Sequence, residues 1–457
     1  MSTEKTPNRK LAAVMTQAGI SNKGLAARVR ELAARDGHEI AADHVAVRRW
    51  LDGGGARVRT AEYVARALGA KLGRPVSLSE IGFDAARTAG EVDILQAGVQ
   101  YPTDSGRSVE LLDKLADADL ADSPAVMASG WDALAAPGII TGYMFGASTV
   151  ETPSLVVAGP GAVERIRAVT AHFTDIDFQF GGGQVRRMML FYFKTEIVPL
   201  LRQSQPDAIR RQIFSAAAEV AGLLGWSAYD AGRHGAAQRY FVQGLRLARE
   251  ANDRAYGAYL LSNLSHQANY LGRFSDAVQL ARAAQSAAVG TGVPAAMSSY
   301  FAMEARALAN LGDERGCSDA LRRSETEFAQ RTPDSDRPWI TYFDEFELAG
   351  EAAHCFRDLG RAGEARSFAS QAVDVVQTPA RTQAFIRMVD AVAALKAGDL
   401  EESLSLATGA VHLTGALQSS RYLRYLSDFR TMLAGREVGN SAVRSFLDLT
   451  SPGDDVN

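Results

Sequence analysis

The stretch GWSAYDAGRHGAAQRYF, residues 225–241, shows the unit from which much of the chain is built. It reads as the end of one helix, a turn at Gly232 and the start of a second helix. A Gly followed five positions later by a small residue recurs at spacings of 40, 40, 48 and 38 residues. The recurring glycines are Gly232, Gly272, Gly312, Gly360 and Gly398. This periodicity predicts an array of stacked helix pairs.

Small residues recur at two fixed distances from each glycine. Five residues after it stand Ala237, Ala277, Cys317, Ala365 and Ser403. Seven residues before it stand Gly225, Ser265, Ala305, Ala353 and Ala391. Small side chains allow two helices to cross closely, so the pattern predicts tight packing within each pair.

Composition agrees with a folded, helical protein. Of 457 residues, 47% are hydrophobic and 22% are charged, which excludes a largely disordered or fibrous chain. Alanine-rich stretches, only 14 prolines and few β-branched runs predict an all-α fold rather than a β-sandwich or barrel.

The sequence has no pattern typical of a membrane or secreted protein. Its start is polar, and no stretch of about 18 uninterrupted apolar residues follows, so we expect a cytoplasmic protein that does not contact a membrane. The two cysteines, Cys317 and Cys355, lie far apart and in no metal-ligand spacing. We interpret both as small buried residues, and we expect neither a metal nor a cofactor.

Charge is unevenly distributed along the chain. Residues 1–84 contain 14 Lys and Arg against 9 Asp and Glu, whereas the remainder contains 35 against 44. A basic head on an acidic body is typical of a small nucleic-acid-binding domain joined to a sensing or assembly domain, because only the head must neutralise phosphates. A chance imbalance of surface charge would give the same count, so the residue pattern has to decide.

Four helices are predicted in the basic head. The first runs from Arg9 to Gln17, and polar residues cap the next three, namely Ser21, Asp43 and Thr60. The third helix covers 44–51. Its residues Val47, Trp50 and Leu51 share one face, which leaves Arg48 and Arg49 mostly on other faces. Two adjacent arginines on a short helix anchored by a buried Trp suit the major groove of DNA.

The segments 25–26, 47–53 and 64–68 resemble a phage-repressor-type (Xre) helix-turn-helix. The resemblance implies that the third helix lies in the major groove with its N-terminal residues at base edges. The DNA-binding residues expected on this basis, together with phosphate or minor-groove candidates, are Ser21, Asn22, Lys23, His44, Val45, Arg48, Arg49, Arg57 and Arg59. The linker over 28–43 is longer than the family pattern.

The array resembles the tetratricopeptide repeat, with helices or connections a few residues longer than its usual period. The resemblance implies a superhelix whose concave face is lined by the first helix of each pair. Offsets of −13, −10, −6 and −3 from the glycines place on that face Trp226, Tyr229, Tyr259, Ser262, His266, Asn269, Arg306, Glu347, His354 and Arg357. Aromatic walls with a few polar groups are typical of ligand pockets, although each residue alone fits an ordinary core or structural role equally well.

The middle of the chain, residues 85–205, is less informative. Helices are predicted over 108–115, 162–173 and 185–201, with a loop over 153–161. The glycines at 181–183 are interpreted as a sharp turn between helices rather than an anion-binding loop, because no phosphate-loop lysine or strand accompanies them.

The runs 175–184, 196–202, 225–241 and 264–268 resemble one group of actinomycete (Streptomyces-type) transcriptional regulators. These join an N-terminal helix-turn-helix to a C-terminal tetratricopeptide domain, and several are tied to antibiotic production and sporulation. The resemblance implies a DNA-binding domain over 1–84, a helical connecting or dimerisation region over 85–205, a sensor domain over 206–440 and a tail over 441–457.

The resulting hypothesis is a homodimeric, ligand-responsive transcription regulator of secondary metabolism or development. It would bind double-stranded operator DNA and sense a small-molecule or peptide effector. The alternative is a protein-interaction adaptor that uses the repeat groove and has only auxiliary DNA affinity. An enzyme is disfavoured, because the sequence has no nucleophile elbow, metal-ligand spacing or nucleotide-binding loop.

Overall fold

The structure is a computed structural model that describes residues 7–35, 40–54, 56, 58–72, 76, 78, 80–83, 89–146, 161–180, 182–374, 376, 378–413, 419–434 and 440–451. Every regular element within these residues is helical, which confirms the predicted all-α class. The chain forms two compact units, Met1–Val92 and Asp93–Asn457.

Within its described residues, the first unit contains four helices ahead of the boundary helix. They are α1 (Arg9–Gln17), α2 (Asn22–Arg35), α3 (His44–Leu51) and α4 (Val58–Leu72). Helix α2 packs against α3 and α4 around Leu25, Val47 and Leu68, all fully buried. Trp50 is also in this core and meets Phe83 edge-to-face at 5.8 Å between ring centroids.

Polar caps fix the ends of the helices in the first unit. The Ala46 N–H donates to Asp43 Oδ1 at 2.7 Å, and the Gly24 N–H donates to Ser21 Oγ at 3.2 Å, so both predicted caps are confirmed. The predicted Thr60 cap is wrong, because α4 already begins at Val58 and Thr60 lies inside its first turn.

The second unit opens with helices that flank the array. Helix α5 (Ala89–Ala97) contains the boundary between the units. It is followed by α6 (Ser105–Leu120), α7 (Pro124–Met127), α8 (Ala136–Phe145), α9 (Ala162–Phe180), α10 (Gly182–Tyr192), a π-helical turn (Phe193–Ile197) and α11 (Val198–Arg202). Helices α6 and α10 pack on the first pair of the array. The predicted middle and array segments therefore lie in one compact unit.

The sequence predictions for this region need two corrections. Helix α9 continues to Phe180, beyond the predicted end at residue 173, and α10 begins at Gly182. The helix predicted over 185–201 is interrupted by the π-helical turn just before Pro199, whose missing N–H disturbs regular helical bonding. Most of the predicted 153–161 loop and Gly181 lie outside the described residues.

Five consecutive helix pairs follow. They are α12 (Asp207–Asp230) with α13 (His234–Glu250), α14 (Arg254–Tyr270) with α15 (Phe274–Ala288), α16 (Pro294–Asn310) with α17 (Glu314–Phe328), α18 (Glu345–Asp358) with α19 (Ala362–Gln371), and α20 (Ala380–Ala397) with α21 (Leu400–Leu413). The first helix of each pair also packs against the first helix of the next. Helices α22 (Ser420–Ala434) and α23 (Ser441–Leu449) pack on the last pair.

The recurring glycines end the first helix of each pair. Gly232, Gly272, Gly312, Gly360 and Gly398 all have φ between 75° and 90°. Because a side chain disfavours this left-handed conformation, glycine is the residue that can close each helix and reverse the chain. The periodic signal in the sequence therefore records a backbone requirement.

The small residues at offsets −7 and +5 meet across each pair. The Ser265 Oγ–H donates to the Ala277 carbonyl at 2.7 Å, and the Ser403 Oγ–H donates to the Ala391 carbonyl at 2.8 Å. In the first pair Gly225 lies against the buried ring of Phe241. The helices of a pair approach closely because at least one of them carries a small residue at the crossing.

Among the described residues, no helix combines the length with the hydrophobicity that crossing a bilayer requires.

Gly225→Ala tests the close crossing. A Cβ at this position would lie 2.6 Å from Cε1 of Phe241, so we expect a loss of about 1–3 kcal/mol from overpacking, despite the better helix propensity of alanine. Thermal unfolding followed by circular dichroism should show a lower midpoint. Gly363→Ala is the control, since an added Cβ there meets nothing within 4 Å and should leave the midpoint unchanged or raise it. Equal midpoints for the two variants would contradict the packing.

Candidate functional site

The exposed face of α3 is the first candidate site. His44, Val45, Arg48 and Arg49 are exposed, whereas Val47 and Trp50 are buried against the core. Val45 is 57% exposed on the same face as the two arginines. The buried Trp50 therefore fixes a helix whose outer face carries two arginines, an imidazole and one apolar side chain.

The other predicted DNA-binding residues lie at helix ends. Ser21 precedes α2 and caps it, Asn22 begins the helix half-buried, and Lys23 is exposed in its first turn. Arg59 is in the first turn of α4, but its side chain and the whole of Arg57 lie outside the described residues.

Two bonds hold the chain on either side of α3. The Arg30 guanidinium donates to the Ala42 carbonyl, which ties the end of the long α2–α3 linker back to α2. The Asn8 backbone N–H donates to the Leu51 carbonyl at 2.8 Å, so the C-terminus of α3 is tied to the start of α1. The orientation of α3 therefore does not depend on the linker alone.

The second candidate site is a cavity of about 1140 Å³ inside the second unit. Its walls come from α9, α12, α14, α16, α18, α20 and α22, together with the connection around Trp339. The cavity is larger than the ~300–1,000 Å³ of most small-molecule pockets. It lies among the first helices of the array and is bounded by α9 on one side and by α20 and α22 on another.

Six of the ten residues predicted for a concave face line this cavity: Trp226, Tyr259, His266, Arg306, Glu347 and His354. The other four do not line it. Tyr229 and Ser262 are buried in the protein, Asn269 accepts a hydrogen bond from Asn310, and Arg357 is paired with Asp358.

Helical geometry explains the division. Three array helices line the cavity with the residues at offsets −13, −9 and −6: Glu219, Leu223 and Trp226; Tyr259, Asn263 and His266; Glu347, Glu351 and His354. At about 100° per residue these offsets form one narrow stripe, whereas −10 and −3 lie about 60–80° to one side. Using −9 in place of −10 would have found Asn263 and Glu351 from the sequence.

Aromatic side chains form much of the wall. Trp339 lies 4.9 Å from Tyr259 and 5.5 Å from Tyr256 between ring centroids. Phe385 and Tyr425 pair at 5.5 Å on another part of the lining. Such a wall offers flat apolar surface to a ligand.

Tyr229, His266 and Arg306, from the first helices of three successive pairs, form a chain of polar contacts beside the aromatic wall. The Arg306 Nη1–H donates to His266 Nε2 at 3.4 Å, and His266 Nδ1 lies 3.0 Å from the Tyr229 hydroxyl. Because a guanidinium can only donate, Nε2 accepts, and the neutral imidazole carries its proton on Nδ1. Burial, with Arg306 and Arg421 nearby, holds the pKa of His266 well below its usual value. The Glu351 carboxylate forms an ion pair with Arg306, with 3.2 Å between Oε2 and Nη1.

A buried ionic cluster closes the far side of the cavity. The Arg381 guanidinium of α20 donates to Asp230 Oδ1 on α12 at 2.7 Å and to the Asp177 carbonyl on α9 at 3.2 Å. The Ser419 Oγ–H donates to the same Asp230 oxygen at 2.9 Å. Segments up to 204 residues apart in sequence are thereby joined.

Arg421 of α22 stands out among the basic groups. Its guanidinium carbon lies 5.1–5.3 Å from the ring centroids of Trp226, Tyr229 and Phe385. The nearest carboxylate oxygen, on Asp230, is 3.9 Å away. No hydrogen-bond acceptor for Arg421 occurs among the described residues, although its side chain is only 14% exposed.

Several buried polar atoms that line the cavity have no hydrogen-bond partner within the part of the chain that the structure describes. They are Asp177 Oδ1, Arg306 Nε, His354 Nδ1 and Arg381 Nε. Buried polar groups in proteins are normally bonded, and an unmade bond costs about 1–3 kcal/mol. Their concentration at one cavity is typical of a binding site rather than of a core.

Three lining residues, Arg381, Arg421 and Trp339, were not predicted from the sequence. None of them stands at a repeat offset, because α20, α22 and the short connection reach the cavity from outside its stripe. The two cysteines are both buried, as expected. No grouping of three potential metal ligands occurs in the described ranges.

Comparison with known families concerns only the first unit. The family model described as "SP15 N-terminal domain" matches residues 11–84. The match thus spans α1 to α4 and leaves the cavity outside it. Among curated proteins, none matches the chain.

The acidic groups of the cavity lead to a prediction on pH. Burial, together with the neighbouring Glu351, raises the pKa of Glu347 from the usual 4.5 to about 8. Between these values the unfolded chain loses this proton while the folded protein keeps it, so the free energy of unfolding falls as pH rises. Glu347→Gln cannot ionise, and we expect its thermal midpoint to exceed that of the wild type increasingly from pH 4.5 to pH 8.

Glu401→Gln provides the matched control, since Glu401 is exposed at the start of α21. Its midpoint should follow the wild type at every pH. Parallel midpoint curves for Glu347→Gln and the wild type would show that Glu347 ionises normally in the folded protein.

Proposed function

We propose that the protein is a cytoplasmic, ligand-responsive transcription regulator. In this proposal the first unit is a helix-turn-helix that binds operator DNA, and the second is a tetratricopeptide-like sensor whose cavity holds a small-molecule or short-peptide effector. The regulated processes would be secondary metabolism or development, as in the actinomycete regulators that the sequence resembles. The proposal includes no catalytic step.

The surface of α3 carries the proposal. A helix of eight residues that buries Val47 and Trp50 and exposes His44, Val45 and two arginines has the form of a recognition helix. Arg49 can donate two bonds to guanine, and Val45 can contact a thymine methyl group. Lys23 and the start of α2 would contact phosphate.

The small DNA-contacting surface of α3 is the reason for proposing a homodimer. One short helix contacts only a few base pairs, and two heads joined in a dimer gain affinity because the second half-site is bound at high effective concentration. The operator would then be a near-palindrome. The net positive charge of residues 1–84 supports the phosphate contacts that both half-sites require.

The sensing role rests on the cavity. The cavity is lined by α9, α20 and α22 as well as by the array helices, so a ligand in it would be contacted from several sides. Its unbonded buried atoms and aromatic wall suit a ligand that becomes largely enclosed. The effector would act by binding two arrangements of the dimer with different affinity.

Selection from sheared genomic DNA tests the DNA-binding role. The purified wild type should enrich a few near-palindromic sites. Arg49→Ala should lose about 1–3 kcal/mol of discrimination between these sites and other DNA, because the bond to a base edge is gone. Lys23→Ala should weaken binding to all DNA similarly, because it removes only a phosphate contact.

Arg322→Ala is the control for charge, since this exposed arginine on α17 lies in the second unit and pairs only with Asp319 in the structure described. It should leave enrichment unchanged. Wild-type discrimination by Arg49→Ala would remove α3 as the recognition helix, and failure of the wild type to enrich any site would favour the adaptor.

The selected operator also tests the sensor. Metabolite extracts are screened for an activity that changes operator binding, and His266→Ala is compared with the wild type. We expect normal operator binding but loss of the response, because the variant removes the imidazole between Tyr229 and Arg306 at the cavity wall. An unchanged response would exclude this part of the cavity as the effector site.

A further inference from the structure

The basic groups of the cavity define what kind of ligand it accepts. Arg306, Arg381 and Arg421 line it from three different helices, and their side chains are only 9%, 8% and 14% exposed. Each guanidinium has five N–H donors and no acceptor. Among the described residues, Arg306 reaches His266 and pairs with Glu351, and Arg381 donates two bonds, to Asp230 and to the Asp177 carbonyl.

Arg421 is the group with the least satisfied donors. Its guanidinium contacts the rings of Trp226, Tyr229 and Phe385. These cation–π contacts position the planar group without using its hydrogen-bond donors. The Asp230 oxygen that lies 3.9 Å from it, Oδ1, already accepts bonds from Arg381 and Ser419. A guanidinium fixed by stacking, with free paired donors, matches the two oxygens of a carboxylate or sulfonate.

The rest of the ligand is defined by the rings next to Arg421. Trp226 and Phe385 line the cavity beside it, and the Tyr259–Trp339 pair continues the flat surface. A volume of about 1140 Å³ admits a body of several fused or linked rings.

We propose that the cavity binds an organic monoanion with an aromatic body, its carboxylate or sulfonate held by Arg421 and its rings against Trp226, Phe385 and Trp339. The inference rests on the proposed sensing function and narrows the effector to an aromatic acid. An acidic group on the ligand would supply acceptors to Arg421, which has none among the described residues, so a neutral analogue should bind less well.

A pair of fluorescent probes tests the charge requirement with the full-length protein. The probes are 8-anilinonaphthalene-1-sulfonate and N-phenyl-1-naphthylamine, which share the aromatic frame and differ by the sulfonate. We expect Arg421→Gln to weaken binding of the sulfonate probe about tenfold and binding of the neutral probe less than twofold. Only the sulfonate probe loses a charge-assisted bond in this variant. Arg322→Gln, with the same charge change on the exposed face of α17, should alter neither.

Competition identifies the class of ligand. 2-Naphthoate should displace the sulfonate probe from the wild type, whereas 2-naphthamide should not at the same concentration. Equal displacement by both, equal weakening of both probes in Arg421→Gln, or no binding of the sulfonate probe to the wild type would each overturn the proposal.

Arg421→Lys covers the case in which Arg421→Gln does not fold, as judged by circular dichroism. It retains the positive charge but not the paired donors, and should give an intermediate loss for the sulfonate probe only. Neither titration contains DNA. Probe binding that depends on Arg421 in a protein that enriches no operator would leave this inference standing and remove the regulator, whereas operator binding without probe binding would do the reverse.

Discussion

The cavity exists because Asp230 joins the two ends of the helical array. This aspartate at the C-terminus of α12 is fully buried and accepts bonds from Arg381 of α20 and from Ser419 before α22. Stacked helix pairs alone form an open groove, since each pair contacts only its neighbours. The ionic contacts add a long-range link between the first pair and the last. Buried ion pairs contribute little net stability but cost about 3–5 kcal/mol when one partner is lost, so they act chiefly to specify one arrangement.

The same cluster sets the electrostatic character of the cavity. Asp230 is shared between Arg381 and the more distant Arg421, so the latter keeps its donors free. Burial raises the pKa of Asp177 to about 6 and that of Glu219 to about 7, so that Glu219 is partly protonated near neutral pH. His266 stays neutral because burial and two arginines depress its pKa. The lining arginines keep their charge throughout this range, because a guanidinium does not lose its proton.

Local rules account for what the sequence predicted. The all-α class, the bounds of α1 and α3, and the caps Ser21 and Asp43 depend on interactions within a few residues, and the recurring glycines depend on one backbone conformation. The stripe along three array helices was predicted in part, because helical periodicity fixes it to within one residue. Arg381, Arg421 and Trp339 could not be predicted, because their positions depend on how α20, α22 and an irregular connection fold back onto the array. No residue spacing in the sequence indicates that these segments pack against the array.

The chemistry of the cavity lining also bears on the choice between a sensor and an adaptor. A protein partner is held by main-chain bonds and shallow pockets along an accessible face, so its binding does not require buried charges on the receptor. Here Asp177, Arg306, His354 and Arg381 keep buried polar atoms that have no hydrogen-bond partner among the described residues, each at a cost in folding free energy. In the proposed function, a small ligand that bonds these atoms would recover that free energy in the arrangement in which Arg381 bonds Asp230. A ligand that binds this arrangement more tightly than others would stabilise it, and that difference in affinity is what the proposed sensor requires.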